Sequence, residues 1–300
     1  MISIIICSKS PSLFKAVSDN IKETIGVPYE IIGIDNSEGK YGICKAYNLG
    51  AAKAQYDIFC FAHEDILFVT QNWGANVINH LKDERVGLIG TLGAYPTLKI
   101  PSCFLAEVCM VEANYIDVNI ETNISRQVFA TVNDIDKSLI KEVTAVDGVL
   151  LITRRSVYEE FQFDDKLLTG FHGYDVEYSL QVRTKYKTCV VFDLKIKHFF
   201  TGGLNKQYIN EMILVSKKWE HILPISVIMY THNDFANYHW LAMARFIELI
   251  VEFNYSWSFI FRQYLYFSFN KYFRVKPFLA IIIKIILPKF FQKVKHTIYH

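Results

Sequence analysis

The sequence predicts an α/β fold: a mixed, mainly parallel sheet flanked by helices, with a C-terminal helical extension. Continuously apolar runs such as ISIIICS (2–8), YEIIGID (29–35) and YDIFCFA (56–62) are typical of strands buried on both faces. Segments with apolar residues at helical spacing separate these runs. Because strands that alternate with helices pair in parallel, the chain is expected to begin with a parallel sheet.

The other elements are predicted from the same two patterns, continuous apolar runs for strands and apolar residues at helical spacing for helices. In chain order they are a helix at 11–25 that Ser10 or Ser12 can cap, an Ala-rich helix at 43–55, a helix at 72–84, a strand at 86–94, an irregular stretch at 95–142, a strand with a helix start at 144–159, a helix from about Tyr174 and a strand at 188–198. Beyond residue 208 long aromatic helical stretches replace this alternation. We therefore predict two domains, 1–207 and 208–300.

Composition excludes several classes of protein. The net charge of +2 over 300 residues argues against a nucleic-acid binder. The six cysteines form no CxxC pair, which favours a reduced, cytoplasmic protein over a disulfide or zinc framework. The opening MISIIICSKS has no basic n-region and is interpreted as a first strand rather than a signal peptide. No apolar run reaches the roughly 18 residues expected of a membrane span.

Polar residues follow each predicted strand, where ligands bind in doubly wound sheets. Ser8, Asp35 and Asn36 follow the first two strands, and the third strand ends on His63, Glu64 and Asp65. A divalent cation would offset the cost of placing two carboxylates there. The alternative is an acidic surface turn, and a lone Asp35 could equally cap a turn. No GxGxxG or GxxxxGK[ST] follows the first strand, which disfavours dinucleotide and P-loop sites.

Three later residues carry candidate chemistry. Asp175 and Glu177, near a predicted helix start, could act as a general base, or simply as acids that favour a helix N-terminus. His198 ends a strand and could complete a metal site with a carboxylate, or be a satisfied core histidine.

The order of these motifs resembles the GT-A glycosyltransferases. It is most similar to a family-2-related bacterial "glycosyltransferase-like" group that includes a streptomycin-cluster protein. The matching pieces span about residues 1–207, and the most specific are YNLGAAKAQYDIFCFAHEDI and GFHGYDVEYSL. The resemblance implies a transferase that moves a sugar from a nucleoside-diphosphate donor, with UDP-sugar expected, to a hydroxyl acceptor. It also implies inversion and dependence on Mn²⁺ or Mg²⁺.

The resemblance assigns roles to individual residues. His63–Asp65 stands where these enzymes carry a DxD metal motif, with His63 replacing the first acid and His198 joining the site. Asp175 falls at the position of the catalytic base, with Glu177 as the second candidate. The nucleotide-binding residues are expected to be Ser8, Asp35, Asn36 and Asn48, and those near the donor sugar or acceptor Asp147, Gly148 and His172.

The C-terminal third mixes aromatic and basic residues. From Lys271 to the end there are seven lysines and arginines and no acid. Such a composition favours the bilayer interface, and so predicts peripheral contact at the inner face of the cytoplasmic membrane. The alternatives are packing on the catalytic domain or a homodimer interface.

These predictions leave two alternative functions open. A nucleotidyltransferase also combines a nucleotide fold with metal carboxylates, although ICSKSPS is a poor version of its basic loop. The second alternative is a non-catalytic protein that binds nucleotide sugars or acts as a scaffold. His63, which replaces the first acid of the DxD motif, keeps this alternative open. For the enzyme, the acceptor is expected to be a saccharide or a lipid-linked glycan in polysaccharide or glycoconjugate synthesis.

Overall fold

A computed structural model describes residues 1–101, 110–119, 124–129, 138–200 and 204–287. The chain divides into two compact units. The first combines Met1–Tyr95 with Met110–Gly203, and the second combines Pro96–Cys109 with Leu204–His300. The second unit thus draws in a segment from before residue 110, and the predicted boundary at residue 207 stays a prediction.

The first unit is built on two sheets. Its strands are β1 (Ile2–Ser8), β2 (Tyr29–Asp35), β3 (Ile58–Ala62), β4 (Ile66–Phe68), β5 (Val86–Gly90), β6 (Leu92–Tyr95), β7 (Met110–Asn119), β8 (Ile124–Phe129), β9 (Ile140–Val143), β10 (Ala145–Val146), β11 (Leu150–Arg154), β12 (Lys187–Val191) and β13 (Ile196–Phe200). Among the described residues, the larger sheet has seven strands in the order β2-β1-β3-β11-β5-β12-β9.

The larger sheet is mixed and mainly parallel, as predicted. β1 pairs in parallel with β2 and β3, so the three strands end at the same edge. β11 runs antiparallel between β3 and β5, while β12 returns to the parallel direction beside β5. β9 closes this edge in the antiparallel direction. The predicted polar residues after β1, β2 and β3 therefore share one edge of the sheet.

The second sheet of the first unit is smaller and is connected to the larger sheet next to that edge. Its order within the described chain is β10-β6-β7-β13-β4, and β8 pairs with β7. β13 lies between β7, to which it is parallel, and β4, to which it is antiparallel. β4 begins directly after His63–Asp65, so the turn between β3 and β4 joins the two sheets.

Helices cover the larger sheet of the first unit. They are α1 (Pro11–Thr24), α2 (Ile43–Ala51), α3 (Trp73–His80), α4 (Arg155–Glu160) and α5 (Tyr174–Arg183). Ser10 caps α1, and Pro11 occupies its first turn, where the missing N–H costs nothing. Trp73 of α3 is fully buried; its Nε1 donates to Thr24 Oγ1 over 3.1 Å and its ring stacks on Phe68.

The second unit is helical over its described C-terminal part. It contains α6 (Lys206–Lys218), α7 (His232–Glu252), α8 (Trp257–Ser268), α9 (Val275–Ile281) and a π-helical turn at Ile282–Ile286. Thr231 and Asp234 form a capping box at the start of α7. No helix in the described part of the chain is long and apolar enough to span a membrane.

Three expectations about elements were wrong. The predicted strand at 188–198 is two strands, β12 and β13, which belong to different sheets. The predicted strand at 86–94 is two strands in different sheets, divided at Thr91, whose carbonyl accepts a hydrogen bond from the Asn114 amide. The stretch at 95–142, expected to be irregular, contains β7, β8 and β9. The basic residues Lys289, Lys293 and Lys295 lie outside the described residues.

Candidate active site

The turn between β3 and β4 is fixed by backbone hydrogen bonds from both sides. The His63 amide donates to the Val149 carbonyl over 3.2 Å, and the Phe199 amide donates to the Asp65 carbonyl over 2.8 Å. The first bond ties the turn to the loop before β11, and the second ties it to β13. The chain therefore holds His63–Asp65 beside the strand that carries His198.

His63, Asp65 and His198 form a compact group of metal-ligating side chains. His63 Nδ1 lies 3.7 Å from Asp65 Oδ1, and His198 Nε2 lies 3.7 Å from Asp65 Oδ2. One ligating atom from each of the three residues falls within 4.8 Å of the others. The Asp65 carboxylate is thus the centre of the group, with one imidazole at each oxygen.

The group fits a divalent cation. Asp65 Oδ1 is buried and has no hydrogen-bond partner among the described residues, which is costly for a carboxylate oxygen. A cation between the carboxylate and the two imidazoles would satisfy that oxygen. Mg²⁺ prefers an all-oxygen shell, whereas imidazole nitrogens suit transition metals, so the donor set fits a divalent transition metal better than Mg²⁺.

The two histidines differ in charge behaviour. Burial lowers the pKa of His63, although the Asp65 carboxylate opposes that effect, so its ring is neutral at pH 7 and can act as a ligand. Burial also disfavours the charged form of His198. The carboxylates of Asp117 and Asp65 outweigh that effect, and the pKa of His198 is raised.

Glu64 and Ser8, both predicted site residues, bind each other. The Ser8 hydroxyl donates to Glu64 Oε2 over 2.7 Å, and the amides of Lys9 and Ser10 donate to the same carboxylate at 3.0 and 3.1 Å. Glu64 therefore clamps the loop between β1 and α1. It lies outside the compact group of His63, Asp65 and His198.

Asp35 and Asn36 sit at the end of β2 in different environments. Asp35 is exposed, and the Ser37 amide donates to its Oδ1 over 2.9 Å, which lowers the pKa of the carboxyl. Asn36 is buried; its amide group exchanges two hydrogen bonds with the backbone of Tyr41, and its own N–H donates to the Ser8 carbonyl. Asn36 shapes the strand-end loop, whereas Asp35 faces solvent.

Asn48 lies on α2, and both ends of its amide are occupied. Its Nδ2 donates to the Phe163 carbonyl over 2.9 Å, and its Oδ1 accepts from the Tyr158 hydroxyl over 2.8 Å. These bonds join α2 to the segment after α4. The side chain acts here as a brace within the fold.

Asp147, Gly148 and Asp175 come together where the loop before β11 meets α5. The Gly148 amide donates to Asp175 Oδ2 over 3.1 Å, and the Val149 amide donates to Asp147 Oδ1 over 3.0 Å. Burial, together with the nearby charge of Asp147, raises the pKa of Asp175 to about 7. A carboxylate with that pKa is suited to accept a proton near neutral pH.

Glu177 and His172 flank this cluster. Glu177 is buried, and its Oε2 accepts from Gln181 Nε2 over 2.6 Å, one turn along the same helix. His172 is partly buried, which lowers the pKa of its ring. Of the two carboxylates predicted as a base, Asp175 is the one in contact with the Gly148 loop.

Two residues at the site were absent from the sequence prediction. The Tyr174 hydroxyl lies 2.8 Å from His63 Nε2, and Asp117 Oδ1 lies 3.6 Å from His198 Nδ1. Tyr174 is adjacent to the predicted base but carried no recognisable signal. Asp117 lies in the stretch that was expected to be irregular; the only signal for it was the strand-like segment NYIDV.

A mainly parallel sheet with carboxylate and imidazole side chains near its strand ends is typical of α/β proteins that bind ligands at that edge. Comparison with known families identifies the chain further. Residues 3–214 match the Glycosyltransferase like family, which covers more than two thirds of the chain. The chain therefore belongs to that family. Its membership of the streptomycin-cluster subgroup stays a prediction.

A solved structure has the same fold. GalNAc-T7, crystallised with UDP, GalNAc and Mn²⁺, superposes with a TM-score of 0.54 at 12% identity, over 96% of this chain and 56% of that one. This chain thus spans little more than half of GalNAc-T7, and the likeness confirms the predicted GT-A fold. No curated protein matched the sequence.

Two further structures align less closely. TarS from S. aureus gives a TM-score of 0.45 at 10% identity over 84% of this chain and 44% of that one. A197 from STIV gives 0.37 at 14% identity over 66% of this chain and 85% of that one.

Proposed function

We propose that this protein moves a sugar from a UDP-sugar to a hydroxyl acceptor, with inversion and with the help of Mn²⁺. The observation that carries the proposal is the group of His63, Asp65 and His198 around a buried, unpartnered carboxylate oxygen. The neighbouring Asp175, with its raised pKa, supports a base at the same strand ends. The Mn²⁺ found with UDP in GalNAc-T7 is consistent with this choice of ion.

The predicted site residues would have different roles in this reaction. His63, Asp65 and His198 would hold the ion, which supplies positive charge to offset the diphosphate leaving group. Asp35, exposed at the end of β2, would accept hydrogen bonds from the uracil or ribose, within a pocket shaped by Ser8, Asn36 and Asn48. Asp147, Gly148 and His172 would lie around the donor sugar and the acceptor.

Asp175 would act as the base. As the acceptor oxygen forms a bond to the anomeric carbon, its proton passes to the Asp175 carboxylate, and the bond between that carbon and the diphosphate oxygen breaks to release UDP. Attack from the face opposite the leaving group inverts the anomeric configuration. A single carboxylate is sufficient for this transfer, because the diphosphate leaves as an anion and needs no proton.

The described C-terminal helices support a proposal about location. Four apolar residues near the C-terminal end of the described chain are exposed, and we call them the C-terminal patch: Phe269, Val275, Leu279 and Ile283 are 62%, 61%, 47% and 60% exposed. The basic sequence around it, which lacks acids from residue 271 onwards, suits an anionic surface. We propose that this C-terminal patch rests on the inner face of the cytoplasmic membrane, near a lipid-linked or saccharide acceptor; a homodimer is the alternative occupant.

A panel of nucleotide sugars tests the transferase proposal. With Mn²⁺ present, a UDP-sugar should raise the melting temperature and should be hydrolysed slowly, since water can replace the missing acceptor. Sugars carried on other nucleotides should do neither. If no nucleoside diphosphate or its sugar changes the melting temperature with or without metal, the proposal is wrong. Release of pyrophosphate from a nucleoside triphosphate would favour a nucleotidyltransferase instead.

A further inference from the structure

The hydrogen bonds around His63 fix which of its nitrogens carries the proton. The Tyr174 hydroxyl lies 2.9 Å from the Gly148 carbonyl and 2.8 Å from His63 Nε2. A carbonyl only accepts, so the single hydroxyl proton must go to Gly148; otherwise two lone pairs would face each other at that distance. Tyr174 therefore accepts from His63 Nε2–H. The other nitrogen, Nδ1, carries the lone pair and faces Asp65.

His198 has a matching arrangement on the opposite side of the group. β7 and β13 are parallel neighbours, and their register pairs His198 directly with Asp117. Asp117 Oδ1 is buried and has no hydrogen-bond partner among the described residues, and it lies 3.6 Å from His198 Nδ1. Because Asp65, at the other nitrogen, belongs to the group that would hold the ion, Asp117 is the carboxylate left to accept a proton from Nδ1. Nε2, which lies 3.7 Å from Asp65 Oδ2, is then the nitrogen with the lone pair.

We propose that Tyr174 and Asp117 are positioning residues that select the histidine tautomers, so that Nδ1 of His63 and Nε2 of His198 both point their lone pairs at the ion. This inference rests on the proposed metal-dependent function, which it deepens. Ligating histidines generally hold a second-sphere acceptor at their other nitrogen, and that acceptor fixes the ring and raises its basicity. Here a phenol oxygen and a carboxylate would serve the two rings separately.

Tyr174 also joins the metal group to the base. The same residue, Gly148, accepts from the Tyr174 hydroxyl through its carbonyl and donates its N–H to Asp175 Oδ2. Gly148 has no room for a side chain, because a Cβ there would meet the Tyr174 hydroxyl. The position of His63 and the position of Asp175 are therefore set by one loop held against the start of α5.

The first test compares Mn²⁺ affinity, measured by electron paramagnetic resonance of the free ion. Tyr174→Phe and Asp117→Asn should each weaken Mn²⁺ binding about ten- to a hundredfold, the range seen when such second-sphere partners are lost. Tyr178→Phe is the matched control: it lies four residues along α5, is fully buried, and its hydroxyl has no hydrogen-bond partner in the described chain. It should bind Mn²⁺ like the wild type.

The second test reads the tautomers directly in the metal-free protein. Long-range ¹H–¹⁵N spectra of histidine-labelled protein, recorded at a pH high enough to leave both rings neutral, should show His63 protonated at Nε2 and His198 at Nδ1, with assignments from His63→Gln and His198→Gln. Tyr174→Phe should leave His63 in a mixture of tautomers. Wild-type His63 protonated at Nδ1 would overturn the inference, as would a Tyr174→Phe protein that binds Mn²⁺ as tightly as the wild type.

The two tests separate this inference from the proposed function. If the wild type does not bind Mn²⁺, the metal-dependent function is wrong, and the tautomers still decide whether Tyr174 and Asp117 orient the rings. If the wild type binds Mn²⁺ but the tautomers are reversed, the function stands and the inference fails. The wild-type spectrum also decides the question if a variant does not fold.

Discussion

Replacing Asp175 by Asn should change how the stability of the protein depends on pH. The pKa of Asp175 is raised to about 7, whereas an unfolded aspartate titrates near pH 4. Between these values the folded state keeps a proton that the unfolded state has released. The free energy of unfolding therefore falls as pH rises from about 4 through 7, and the stabilisation present below pH 4 is lost above pH 7.

The size of the effect follows from the shift. A difference of about three pKa units corresponds to an upper bound of about 4 kcal/mol at 1.36 kcal/mol per unit. Asp175 is partly exposed, and water screens part of that cost, so we expect about 2 kcal/mol. Asn keeps an oxygen that can accept from the Gly148 amide but carries no charge.

Urea denaturation of the wild type and of Asp175→Asn at pH 5, 6, 7 and 8 measures this difference. At pH 5 the variant should be more stable by about a third of the full difference, and at pH 8 it should be more stable by the full difference of about 2 kcal/mol. Subtracting the two curves cancels the titration of groups that both proteins share. If the difference stays constant between pH 5 and pH 8, the carboxyl is not protonated at neutral pH and the reasoning is refuted.

Three further predictions follow from particular contacts. Glu64→Gln should lower the free energy of unfolding, measured by urea denaturation, by about 2 kcal/mol, because it weakens charge-assisted hydrogen bonds to the loop after β1. Its affinity for Mn²⁺ should stay within about twofold of the wild-type affinity. A large loss of affinity would make Glu64 a ligand. Gly148→Ala should lower the free energy of unfolding by about 1–3 kcal/mol and weaken Mn²⁺ binding, because the new methyl group displaces Tyr174. An unchanged melting curve and an unchanged Mn²⁺ affinity would show that the methyl group fits without displacing Tyr174. The protein should co-sediment with vesicles rich in phosphatidylserine, and Phe269→Glu should reduce the amount bound more than about tenfold. Leu241 is also exposed but lies outside the C-terminal patch, so Leu241→Glu should leave binding unchanged. A concentration-dependent dimer that Phe269→Glu disrupts would favour the homodimer.

Much of the first sheet could be predicted from the sequence, because its strands are continuously apolar segments. The bounds of β1 and β2 agree with the runs ISIIICS and YEIIGID, although only β1 is buried on both faces and β2, at the edge of the sheet, is partly buried. The break at Thr91 could not be predicted, since all of Val86–Tyr95 is buried and the residues on both sides of the break are equally apolar. Which sheet a strand joins is decided by its partners, and these lie far away in the sequence.

The same distinction holds for the site. Asp65 lies in the turn directly after a strand, and that position in the sequence is enough to mark it as a candidate. His198 was expected to end a strand, but it lies in the middle of β13. Glu64, by contrast, differs from Asp65 only in its contacts with Lys9 and Ser10, which depend on how β1 ends. Asp117 reaches His198 through the register of two strands about 80 residues apart, and no local pattern records that register.

The central claim is that a metal held by Asp65 and two histidines binds the diphosphate of a nucleotide. Isothermal titration calorimetry of UDP into the protein, with and without Mn²⁺, tests it most directly. UDP should bind at least about tenfold more tightly with Mn²⁺, and Asp65→Asn should remove that gain while leaving the fold intact by circular dichroism. Equal affinity for UDP with and without Mn²⁺, or a gain that survives in Asp65→Asn, would contradict the account.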